Sequence, residues 1–89
     1  MSNEHVIYLK RHDAFRLLCC LQERRARVDG KESLRYLLDA VARLDGFMAR
    51  DGDRIEIRGP LGWLRIIAQV GGEWYVAEVE RQLHQEVGG

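Results

Sequence analysis

Apolar residues recur along this chain with two periods, helical in the first half and alternating in the second. Residues 5–9, HVIYL, are β-branched and aromatic and predict a short N-terminal strand. A helix over about 13–28 follows, with Asp13 as its N-cap and Ala14, Leu17, Leu18, Leu21, Arg25 and Val28 along one side. Gly30 breaks it, and Asp29 with Glu32 reads as a capping box for a second helix over 31–45. Leu34, Leu37, Leu38, Val41 and Leu44 form that helix's apolar stripe, while Arg35, Asp39 and Arg43 pair with one another at i, i+4. Phe47–Arg50 fits either a last helical turn or a short strand. From Arg54 the pattern alternates through Ile55, Glu56, Ile57 and Arg58. Gly59–Gly62 then reads as a turn, Trp63–Val70 as a long strand, and Gly71-Gly72 as a two-residue hairpin turn into Glu73–Glu80. Val76, Val79, Leu83 and Val87 lie at helical spacing and predict a short terminal helix from about residue 80. No internal repeat is visible in the sequence.

Counting pairs away from the Gly-Gly turn sets Arg65 opposite Glu78 and Leu64 opposite Val79, and the preceding turn sets Glu56 opposite Arg65. The expected architecture is therefore α+β. Two helices pack on one face of a three- or four-stranded antiparallel meander, with an N-terminal strand and a short C-terminal helix. One face carries Ile55, Ile57, Leu64, Ile66, Ala68, Val70, Tyr75, Ala77 and Val79 as core. The other carries Trp63, Ile67, Trp74 and Val76 beside an arginine, Arg65, held between two glutamates, with Arg58 able to stack on Trp63. Tryptophan and arginine are enriched at the centres of protein interfaces, so this second face is the expected partner-binding surface. The terminal helix or the N-terminal strand, a second copy of the chain and a protein partner are the candidate covers for it.

At 89 residues the chain makes one domain spanning 1–89, able to bury one modest core. Fourteen basic side chains balance fourteen acidic ones, which counts against a dedicated nucleic-acid binder and permits self-association. The two cysteines are adjacent, Cys19 and Cys20, so no disulfide framework is expected and a cytoplasmic location fits. No apolar run suggests a signal peptide or a membrane span. Cys19 is expected in the core. Arg16, Cys20, Arg24 and Arg27 share one side of the first helix. They read as a solvated face or as a secondary basic stripe, in which a thiol between arginines would have a lowered pKa. Lys10, Arg11 and His12 stand before a helix start, where they would form an anion site or a plain surface corner. His5, His12 and His84 have no second ligand at metal spacing, and no phosphate loop or catalytic arrangement is present, so neither metal nor cofactor is expected.

The expected order, strand–helix–helix–three antiparallel strands, is similar to RelE/ParE-type toxins, whose ribonuclease members cut ribosome-bound mRNA with basic strand residues. That resemblance would give RNA-holding work to residues such as Arg54, Arg58, Arg65 and Tyr75, though no motif match assigns them roles. The preferred reading is a non-enzymatic protein-interaction module. It would be a small intracellular regulator or inhibitor that occludes a protein partner, as phage-type inhibitors of host machinery do. A toxin of that type, or a nucleic-acid-binding module using strand and helix arginines, is the alternative.

Overall fold

The structure is a computed structural model and describes residues 4–88. Those residues form, in order, β1 (Glu4–Lys10), α1 (Arg11–Arg27), α2 (Lys31–Met48), β2 (Arg54–Pro60), α3 (Leu61–Gly71) and α4 (Glu73–Gly88). β1 and β2 pair antiparallel, with Ile7 opposite Ile57 at the centre and Lys10 opposite Arg54 at one end. The first half agrees with the periodic reading, and Phe47 and Met48 complete the last turn of α2. The three- or four-stranded meander does not form.

Residues 61–88 account for the difference. Pro60 stands extended at φ −61° and ψ 150°. It has no N–H for a further ladder bond, and Leu61 opens a helix directly behind it. Within 63–71 the buried residues are Trp63, Leu64, Ile67 and Ala68, the i, i+1, i+4, i+5 stripe of a helix. Ile66, which an alternating strand would bury beside Leu64, is 44% exposed. The Gly-Gly pair is a helix junction. Gly72 adopts φ +118°, which favours glycine, and its N–H caps α3 on the Ala68 carbonyl at 3.0 Å. α4 follows at once and buries Tyr75, Val79 and Leu83 at i, i+4, i+8. The side chain of Val87 lies outside the described residues.

The two caps drawn from sequence also differ. α1 starts at Arg11 with Lys10 as N-cap, and α2 starts with Gly30 as N-cap, neither with a side-chain cap bond.

One face of the ribbon is buried: Ile7, Leu9, Ile55, Ile57 and Gly59 lie beneath the helices. α1 packs on α2 and α3, and α3 on α4, which gathers Leu17, Leu21, Leu44, Leu64 and Ile67 into the same core. Each leucine or isoleucine so enclosed contributes about 2–3 kcal/mol of hydrophobic stabilisation before entropy is counted. Gly59 is the point of closest approach. A Cβ there would come within 2.4 Å of the Trp63 ring.

A repeat invisible as residue identity is plain as structure. β–α–α occurs twice; β2 starts 50 residues after β1, and α3 starts 50 after α1. The burial pattern of residues 5–20 recurs over 55–70 with two differences: His5 is partly buried where Ile55 is buried, and Asp13 partly buried where Trp63 is buried. Large and small residues exchange between the halves, Leu9 with Gly59, Ala14 with Leu64 and Leu18 with Ala68. Such swaps keep the combined volume while erasing sequence likeness.

Candidate functional site

A groove of about 610 Å³ runs between the outer side of β1 and α4. Val6, Tyr8 and Lys10 reach it from β1 and Arg54 from β2; Trp74, Glu78 and Gln85 reach it from α4. Asp13, in the first turn of α1, closes one end.

The groove's walls are fixed by hydrogen bonds. Tyr8 donates its backbone N–H to Gln82 Oε1 at 2.7 Å, and Gln82 Nε2 donates to the Tyr8 carbonyl at 2.7 Å. The carboxamide thus takes the place of a neighbouring strand on the outer edge of β1. The same Nε2 also donates to Glu78 at 2.9 Å, and Glu78 forms an ion pair with Arg81. The Arg81 guanidinium and then Gln82 hold the Glu78 carboxyl below the ordinary carboxylate range. On the next turn Tyr75 is buried and donates its hydroxyl to the Asp13 carbonyl at 2.6 Å, tying α4 to the start of α1. Burial first, then the Asp13 charge, raises its pKa.

Trp74 sits edge-on to Tyr75, with ring centres 5.0 Å apart, yet is 54% exposed. Tyr8 on the opposite wall is 47% exposed. Lys10 and Arg54 are cross-strand neighbours, both exposed, and among the described residues no ion pair engages either. Like charges set directly opposite one another repel, so this end of the groove favours an anion.

The surface expected from sequence is dispersed. Trp63 is 7% exposed and Ile67 fully buried, both on α3, because helical spacing turns them toward the core. Arg43 of α2, and not Arg58, lies over the Trp63 ring, 5.8 Å from its centre. Arg65 pairs with Glu80 at 2.7 Å instead of standing between Glu56 and Glu78. Arg58 pairs with Glu56 at 3.0 Å on the ribbon. Val76 is partly buried near Gln69 and Glu80 at the α3–α4 seam. Trp74 alone reaches the groove. Of the arginines and tyrosine that the toxin resemblance singled out, Arg65 lies on a helix and Tyr75 is buried. The three-stranded order on which that resemblance rested is absent.

The secondary stripe lies on α1 as expected, with Arg16, Arg24 and Arg27 exposed and Cys20 partly buried. Cys19 is exposed, not core, because it lies farther than Cys20 from the Ala14–Leu17–Leu18–Leu21 side. Of the basic corner before α1, Lys10 and His12 are exposed and Arg11 is committed inward. Arg11 donates to the carbonyls of Met48 and Gly52, each at 2.9 Å, and to that of Arg50, so it holds the turn after α2 and no anion.

Tyr8, Asp13 and Gln82 are groove residues that sequence reasoning does not assign to a site, and Lys10 is read there only as part of an anion corner before the helix. Gln82 lies 74 positions from Tyr8, and no local pattern marks a glutamine that caps a strand edge.

Among the described residues, no group of three or more His, Cys, Asp or Glu could hold a metal ion, and no helix is long and apolar enough to cross a membrane. No protein family, curated protein or solved structure matches the chain.

Proposed function

We propose that this chain is a non-enzymatic protein-interaction module and that a segment of its partner lies in the groove between β1 and α4. Trp74 carries the reading. A tryptophan more than half exposed, on a base fixed by Tyr75, presents a large rigid apolar face to solvent. Residues of this kind dominate binding energy at protein interfaces. Gln82 and Tyr8 hold the facing wall in place without the ligand, which lowers the ordering cost of binding. A module of this size acts by occupying a partner's surface, as a small regulator or inhibitor does. The two free thiols suit a reducing, cytoplasmic setting.

The test is affinity capture from the native host with wild type and Trp74→Ala. The substitution removes an exposed side chain, so circular dichroism should be unchanged. Binding should weaken by about 2 kcal/mol or more, some thirtyfold. Equal recovery of the same proteins by both forms would refute the groove as the binding surface.

A further inference from the structure

The apolar stripe of α2 is wider than the core uses. Leu37 and Leu44 are enclosed and Val41 is partly buried, but Leu34 is 36% and Leu38 44% exposed. At about 100° per residue, Lys31, Leu34, Leu38, Ala42 and Asp45 fall within about 80° of arc on the helix surface. All five are exposed. They make one outward row about 21 Å long, stepping by threes and fours as rows do where helix packs on helix.

The spacing of this row is symmetric about Leu38, and its charge is not. Leu34 and Ala42 stand four residues either side of Leu38, and Lys31 and Asp45 seven residues either side. A second α2 laid antiparallel about a two-fold axis at Leu38 therefore sets Leu38 on its own copy and Leu34 on Ala42. It also sets Lys31 on Asp45 at both ends. A parallel arrangement would set Lys31 on Lys31 and Asp45 on Asp45.

Both end charges are misplaced for an isolated helix. Lys31 is the first residue of α2 and Asp45 lies in its last turn, so each opposes the helix dipole. Neither has an opposite charge three or four positions away, and among the described residues no ion pair engages either. In the antiparallel pair each reverses its situation. Lys31 meets the C-terminal end of the second helix and Asp45 the N-terminal end, where the dipole favours them. A net charge of zero permits the approach.

We infer that two copies of this chain associate through α2, antiparallel about Leu38, with Lys31 of each copy paired to Asp45 of the other. One row from each helix buries less than a standard interface, so the dimer is weak and concentration-dependent. No residue of α2 lines the β1–α4 groove, so the dimer carries two free grooves. A partner that offers two binding segments would then be held by both.

The experiment is sedimentation equilibrium of the full chain across concentration. Wild type should be largely dimeric at about 100 µM and monomeric at about 1 µM. Lys31→Asp or Asp45→Lys alone should raise the dissociation constant about tenfold or more, because two like-charge contacts replace two attractive ones. The double variant Lys31→Asp/Asp45→Lys should return to within about threefold of wild type. The two single variants mixed should pair with each other more tightly than either pairs with itself. Leu38→Glu should abolish the dimer with circular dichroism unchanged; the charge variants keep the test decisive if it does not fold. A chain monomeric at every concentration would overturn the inference. So would a dimer indifferent to the single charge reversals, or single losses that the double variant fails to restore. Trp74→Ala should dimerise as wild type does, and its loss of the dimer would place self-association in the groove instead.

Discussion

Arg11 shows how much one side chain can decide. Its guanidinium reaches three backbone carbonyls, those of Met48, Arg50 and Gly52, while its own N–H donates to the Asp53 carbonyl at 2.7 Å. Met48 ends α2, and a charged donor on its carbonyl satisfies a group the helix leaves open and complements the helix dipole. Arg11→Ala should lower stability by about 1–3 kcal/mol in urea unfolding. Arg11→Lys should recover little of it, because an ammonium point charge cannot span the fork. A lysine variant as stable as wild type would show that charge alone suffices. From sequence this residue looked like part of an anion site, since nothing local reveals a turn some forty residues away. Cys19 and Cys20 teach a smaller lesson. Adjacent helix positions differ by about 100°, and that arc decides which thiol lies nearer the core.

At the scale of elements, β1, α1, α2 and β2 were readable because each shows one period and a clear break. α3 was not. Residues 63–70 satisfy both templates: Leu64, Ile66, Ala68 and Val70 alternate, while Trp63, Leu64, Ile67 and Ala68 make a helical stripe. Gly71-Gly72 also fits both a hairpin turn and a helix end. The deciding signal, an extended Pro60 leading straight into a helix as Lys10 does before α1, appears only once the halves are compared. The candidate site suffered most from this choice. Trp74 is exposed at the groove, but its expected companions Trp63 and Ile67 turned inward with the helix. The edge of β1 shows an element made safe by a distant side chain. Gln82→Ala removes both bonds to Tyr8 and exposes the strand's outer edge. Water replaces those bonds at this exposed site, so the loss should be about 1 kcal/mol. Faster amide exchange at Tyr8 should accompany it. Unchanged exchange there would mean that Gln82 does not guard the edge.

For the whole molecule, a β–α–α unit that occurs twice organises the architecture. The halves share one core through α1 and α3, and stability should respond to pH through groups in both. Glu56 is held below the ordinary value of 4.5 chiefly by its hydrogen bond from Arg58, and Glu78 chiefly by that from Arg81. Their contribution is complete above that value and is lost as pH falls through the lower folded values. The loss is small, because these pairs are open to solvent. Tyr36 and Tyr75 are raised above the ordinary value of 10.0, first by burial. Above that pH the unfolded chain gives up these protons before the native one does, so stability falls as pH rises. Urea midpoints across pH should show both limbs, with a shallower alkaline limb in Tyr75→Phe. An alkaline limb as steep in that variant would place the effect elsewhere. The most direct test of the account uses the two tryptophans separately, in Trp63→Phe and Trp74→Phe chains. With only Trp74 left, emission should be red-shifted and readily quenched by acrylamide; with only Trp63, it should be blue-shifted and protected. Two equally exposed tryptophans would contradict the helical second half, and a protected Trp74 would contradict the open groove.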